Sequence, residues 1–300
     1  MRVSCGSRFL AHACLIGCQP RFAHLLTDPT MTSSESHSPA APHATLRSAL
    51  LAASPAQADG LMRAASVALA CLQCSASGPT LTAFDAARLQ ADLALFPEWC
   101  AGREFGVQWD AEAQARWQRV SQALVASASA QPVVPLHGEW TVDRMPWAAV
   151  DALAAASRLA TEHTEPALKA QANGPVAYDL VCLLRDVSVL TDPPFPWDGS
   201  QELDWAIRYW QAALAAGVPI SADFGEFWRD FEWLSLQHHL VQMGELCRHK
   251  HAHGVPLASQ QIPSLLAAAS KAALRYSALK PLLRLLEPLS GPAVAAGYTF

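Results

Sequence analysis

Cysteine and histidine have the widest chemical range of any side chains in this chain, and both occur at suggestive spacings. Cys71-Leu72-Gln73-Cys74 is a C-x-x-C, the spacing that poises a dithiol for exchange or supplies half of a tetrahedral zinc site. A zinc site of that kind needs a second pair, and a redox dithiol needs βαβ surroundings. Neither accompanies it: the remaining cysteines stand at 5, 14, 18, 100, 182 and 247. Cys182 lies inside Val181-Cys182-Leu183-Leu184, so the cysteines, Cys71 and Cys74 included, read as small buried hydrophobes of a reducing compartment. His238 and His239 are followed by His249, His251 and His253. Eleven residues separate His238 from His249, about three helical turns, so one helix presents both on a similar face. Glu245 is the nearest carboxylate, and the segment reads as a solvated helix end sooner than a metal centre. Phe224, Phe227, Trp228, Phe231 and Trp233 form an aromatic stripe. Core packing is its expected role, and a stacking wall for a sugar or nucleobase is the alternative.

The elements that must carry these residues are helical. Hydrophobic residues make up 51% and charged residues 16%, a balance that supports a sizeable core in a chain of 300 residues. A net charge of −5 supplies no basic footprint for nucleic acid, and no apolar run reaches membrane-spanning length. The first acidic residue is Asp28, and early arginines precede Phe9–Cys18. Leu15-Ile16-Gly17-Cys18 has the look of a lipoprotein cleavage site, but the apolar stretch is short and broken by His12, which argues against export. Met31 offers an alternative start. Residues 29–45 have the Ser/Pro/Thr/Ala composition of a linker. The expected division is a leader and linker over 1–44, a folded region over 45–288 and a tail over 289–300.

Within the folded region, Asp59 is expected to cap a helix stopped by Gly78-Pro79. Asp85 to Phe96 carries a helical stripe that Pro97 should end. Asp110 starts a helix with Ala115, Val120, Leu124 and Val125 inward, and Pro132–Leu136 is the one convincing strand. Further helices are expected over 147–159, over 176–189 with Pro175 in the first turn, over 201–215, from Asp223 to about His249, and over 264–274 and 276–286.

Several blocks occur together and in order: Leu93-Ala94-Leu95-Phe96-Pro97-Glu98-Trp99, Gly174-Pro175-Val176-Ala177-Tyr178-Asp179-Leu180-Val181-Cys182-Leu183-Leu184-Arg185-Asp186, Leu203-Asp204-Trp205-Ala206-Ile207-Arg208-Tyr209-Trp210, and Asp223-Phe224-Gly225-Glu226-Phe227 with Arg229-Asp230-Phe231-Glu232-Trp233. Together they resemble the aminoglycoside-phosphotransferase family, and most closely its cell-wall-recycling branch, the anomeric N-acetylmuramate/N-acetylglucosamine kinases, from about residue 45 to 288. The resemblance implies a mainly α fold: the helical C-lobe of a protein-kinase-like structure, in which ATP and Mg²⁺ serve phosphoryl transfer to a sugar.

The same resemblance exposes what has changed. The likeness begins where the family's interlobe hinge lies, and the first lysine of the chain is Lys169, so the N-lobe with its nucleotide-binding lysine is expected to be missing. The family's His-Arg-Asp-(four residues)-Asn loop corresponds to His137-Gly138-Glu139-Trp140-Thr141-Val142-Asp143-Arg144. Glu139 stands for the base Asp and Arg144 for the metal-binding Asn. The Asp-Phe-Gln-Asp run before the Gly-Pro corresponds to Ala167-Leu168-Lys169-Ala170, which offers a hard dication no oxygen ligand. The expectation is therefore a catalytically inactive, pseudokinase-like cytoplasmic protein with no intact catalytic residue, no bound metal and no cofactor. Asp179, Arg185, Asp186, Asp204 and Trp233 are its candidate amino-sugar-binding residues. Asp179 has a structural hydrogen bond as its competing role, and Arg185-Asp186 a solvated helix end. An exposed interlobe face would suit a protein partner or self-association. The alternatives are a sugar- or partner-binding module, and an active sugar phosphotransferase using ATP and Mg²⁺ with Glu139 as base and Asp143 or Asp179 as metal ligand.

Overall fold

The computed structural model describes residues 45–74, 81–151, 168–186 and 199–290. These are mainly helical, with one small sheet. Helix α1 (Leu46–Ala52) starts at Thr45, whose side chain accepts from the Ser48 N–H. Helix α2 (Pro55–Gln73) is set by a complete capping box: the Ser54 hydroxyl accepts from Gln57 N–H while the Gln57 side chain accepts from Ser54 N–H, with Pro55 opening the first turn. The cap is thus Ser54 and not Asp59, which instead accepts a hydrogen bond from Trp205 Nε1 at 2.9 Å.

Helix α3 (Ala86–Leu93), capped by Asp85, is followed by a π-helical segment, Phe96–Glu104. Pro97 does not end the helix. It sits in the first turn of the π segment, where its missing N–H removes no intrahelical bond. Helix α4 (Ala111–Ala130) is capped by Asp110 as expected and buries Val120, Leu124 and Val125; Trp117 takes the inward position, and Ala115 is exposed.

Three strands follow the order β1–β3–β2. Strand β2 (Val133–Leu136) is the predicted one. It pairs antiparallel with β3 (Ala172–Pro175), with Val134 opposite Gly174. Strand β1 (Thr82–Ala83) pairs parallel with β3. Pro175 therefore ends a strand instead of opening a helix. Gly174 is obligatory: a Cβ there would lie 2.6 Å from Leu136 Cδ1 and 2.8 Å from Phe84 Cβ.

Helix α5 (Tyr178–Arg185) begins just after, α6 (Gly199–Ala215) packs on α2, and α7 (Phe224–His253) runs through the centre. Asp223 caps α7, accepting from the N–H groups of Gly225 and Glu226. Residues 234–237 and 239–247 of α7 are all buried, as expected for a helix covered on every side by α3, α4, α5, α8 and the π segment. Phe227 and Phe231 of the aromatic stripe are core, with Trp228 stacked between Phe224 and Phe231 at 6.0 and 4.9 Å. Helix α8 (Gln261–Arg275) and the short α9 (Leu283–Leu286) complete the described chain. A helical run begins at Trp147 and is described to 151; its expected continuation to 159, the Gly78-Pro79 turn, the end of the expected helix at 189 and residues 1–44 lie outside the described residues. No helix among the described residues is long and apolar enough to cross a membrane.

Candidate functional site

Strand β2 delivers His137 into a loop that ends at Pro146. Gly138 makes the first bend at φ 82°, a left-handed conformation that suits glycine. The loop is clamped from below by Asp179, in the first turn of α5. Its carboxylate accepts from the backbone N–H of His137 at 2.7 Å and of Gly138 at 2.9 Å. Asp179 is fully buried, and that burial pushes its carboxyl up to about 7, against the pull of the two N–H donors. Both oxygens are thus engaged with backbone, the structural role weighed for this residue.

Above the clamp, the loop is tied to α1. Leu46 N–H donates to Met145 O at 2.9 Å and Arg47 N–H to Val142 O at 2.8 Å. The Arg47 guanidinium grips Asp143 with Nε and, at 3.2 Å, with Nη2. Glu139 faces Arg144 at 3.7 Å. Each of the two carboxylates carried by the loop side chains is therefore opposed by an arginine. His137 packs edge-on against the fully buried Trp140 at 5.6 Å. Desolvation lowers its pKa, against the pull of Glu139. Of the Ala pair at the family's metal positions, Ala170 lies beside the strand β3 and Ala167 falls outside the described residues.

The far end of α5 gathers a second polar group. Arg185 donates to Glu202 of α6 at 2.6 Å, with its guanidinium 5.4 Å from the Phe231 ring centroid. Asp186 accepts from Gln242 Nε2 at 3.2 Å. Arg185-Asp186 is thus a half-buried, partnered pair and not a solvated helix end. Ten residues before Gln242 on α7, nearly three turns away, Glu232 is buried and holds Arg275 and Tyr276, and Trp233 meets the Tyr276 ring edge-on at 5.8 Å. His239 lies within electrostatic reach of Arg185; burial first, then Arg185 and His238, drive its pKa well down. Asp204 is not part of this group: it pairs with Arg63 of α2 at 3.2 Å and Arg208 at 3.6 Å. Sequence reasoning missed Glu202, Glu232, His239, Gln242 and Arg275. Their one signal was spacing, since 232, 239 and 242 fall on one face of a 3.6-residue helix.

The other suggestive spacings dissolve. Cys74 is exposed and not core, donating its thiol to Cys71 O at 3.1 Å. His251 and Lys250 both reach Glu104 of the π segment, at 2.8 and 2.6 Å, while His249 is buried beside Glu245. No group of three His, Cys, Asp or Glu side chains among the described residues is placed to hold a metal ion.

No protein-family profile matches the sequence. Individual relatives do. An N-acetylmuramate/N-acetylglucosamine kinase of Neisseria meningitidis is 32% identical over 230 residues, 76% of this chain and 64% of that protein. Kinases of the same name from Pseudomonas putida and Pseudomonas aeruginosa are 33% and 32% identical, over 79% and 80% of this chain and 65% and 66% of theirs. The chain thus spans just under two thirds of the length of these curated relatives. With the ordered sequence blocks and a mainly helical architecture, the likeness places the chain in the same family as these N-acetylmuramate/N-acetylglucosamine kinases.

Proposed function

We propose that this chain binds an amino sugar without transferring phosphate to it, and that residues 45–288 form the helical C-lobe of an aminoglycoside-phosphotransferase-like fold. The pairing of both loop carboxylates with arginine carries this reading. A general base must be free to take the hydroxyl proton, and a Mg²⁺ ligand must turn its oxygens to the ion. Here Glu139 faces a guanidinium in Arg144 and Asp143 is gripped by Arg47. The sugar pocket of this reading is the polar group at the end of α5, with Arg185, Asp186 and Trp233 from the sequence and Glu202, Glu232, His239 and Gln242 from the fold. Asp204 stands on the α2–α6 seam and takes no part, and Asp179 acts as the loop's anchor. Cytoplasmic residence fits a function on recycled wall sugars.

Active phosphotransfer is the second reading, favoured by the name that all three relatives share. It would use ATP and Mg²⁺, with Glu139 released from Arg144 to act as base. One experiment separates the two: the full chain is assayed for ADP formation with MgATP and N-acetylglucosamine, and its thermal midpoint is followed with each ligand alone. A ligand at a hundred times its Kd adds about 2.7 kcal/mol, a shift of a few degrees. The expected result is a shift with sugar, none with MgATP, and no ADP. Sugar-dependent ADP formation abolished by Glu139→Ala would overturn the proposal in favour of the second reading.

A further inference from the structure

The π segment and α7 run side by side in the same direction, in a register that three contacts fix. At one end the α7 backbone comes so close at Gly244 that a Cβ there would lie 2.5 Å from Leu95 C. At the other, Lys250 and His251 reach Glu104 at 2.6 and 2.8 Å. Between them, about one turn along each helix, stand Cys100 and Cys247. Both are free thiols, both are fully buried, and the Cys247 thiol is the hydrogen-bond partner of Cys100. A disulfide needs two Cα atoms within about 7 Å and side chains aimed at each other. A seam this tight, with the two thiols on one rung, supplies both. The hydrogen bond to Cys247, and then burial, push the Cys100 thiol up, so it is protonated and inert while the seam is closed.

We infer that Cys100 and Cys247 are a reversible oxidation site, at which a peroxide that enters when the seam opens converts the facing thiols into a disulfide stapling the π segment to α7. Hydrogen peroxide takes one thiolate to a sulfenic acid and leaves as water; the second thiolate attacks that sulfur, the S–S bond forms, and the expelled hydroxide takes a proton to become the second water. Two electrons pass from the two sulfurs to the peroxide. In a reducing compartment such a bond is transient, removed by exchange with small thiols. The full chain is treated with hydrogen peroxide, its remaining thiols are alkylated, and a non-reducing digest is mapped by mass spectrometry beside a thermal melt. The expected result is a peptide pair joined through Cys100 and Cys247. Closing so long a loop raises the midpoint by about 5 °C or more, and dithiothreitol reverses both changes. Cys247→Ala, which keeps a small apolar side chain in the seam, shows neither the link nor the rise. Recovery of both residues as alkylated thiols, or their linkage to other cysteines, overturns the inference. So does a link without a higher midpoint, or a rise that persists in Cys247→Ala. If that variant does not fold, the mapped link and its reversal by dithiothreitol decide.

Discussion

Two arginines oppose two carboxylates in the loop after β2, but their geometry makes them unequal. Arg47 meets Asp143 through two nitrogens, with side chains 18% and 20% exposed, and its own backbone N–H is bonded into the same loop. Arg144 reaches Glu139 through one contact at 3.7 Å, with both side chains about a third exposed. A two-pronged, partly buried pair is worth more than a long exposed one, which contributes between nothing and about 1 kcal/mol. Arg47→Ala is therefore expected to lower unfolding free energy by about 1–2 kcal/mol, and Arg144→Ala by less than about 0.5 kcal/mol. Urea denaturation of both variants checks the order, and a larger loss at Arg144 would contradict it. The identities of these residues were legible in the sequence, which set Glu139 and Arg144 at altered positions. Their partners were not, because Arg47 and Asp143 stand 96 residues apart and nothing local links them.

At the scale of elements, helix starts were readable where a single acidic cap decides them, as at Asp110 and Asp223. Other boundaries depended on tertiary contacts. Ala172-Asn173-Gly174-Pro175 has no β-branched residue, and it is a strand because β2 and Phe84 of the β1 edge supply its partners. The π segment gave no periodic signal of its own. Its position is fixed by α7, whose backbone approaches closely at Gly244: a Cβ there would lie 2.5 Å from Leu95 C and 2.7 Å from Phe96 N. These are backbone atoms and cannot swing aside. Gly244→Ala must force the π segment away from α7, also disturbing Glu104, which Lys250 and His251 hold across the same seam. The expected cost is about 2 kcal/mol or more despite the gain in helix propensity. A Gly244→Ala protein as stable as the wild type would show that the seam is not tightly packed.

Across the whole molecule, buried titratable groups act on stability with opposite signs. His137, His239 and His249 have lowered pKa values, chiefly through desolvation. The folded state binds their protons less readily than the unfolded chain, so their contribution is present above about pH 6.5 and is lost as pH falls. Glu104, whose desolvation is outweighed by Lys250 and His251 so that its pKa is lowered, loses its contribution in acid as well. Asp179 runs the other way. Its carboxyl titrates near 7 in the fold against 3.8 in its ordinary state, so the fold gains a proton between those values that the unfolded chain does not hold. Stability from this group rises as pH falls from about 7 toward about 4, and Glu202, also raised by burial, adds to the trend. The two sets oppose each other in the wild type, so the net pH profile conceals both. Asp179→Asn separates them by deleting one titration while preserving shape and one acceptor oxygen. Moving from pH 7.5 to pH 5.5, the wild type should gain about 2 kcal/mol relative to Asp179→Asn. Paired urea denaturation curves at the two pH values measure that difference directly. A stability gap independent of pH would mean that Asp179 stays ionised across this range, and that the two backbone donors outweigh its desolvation.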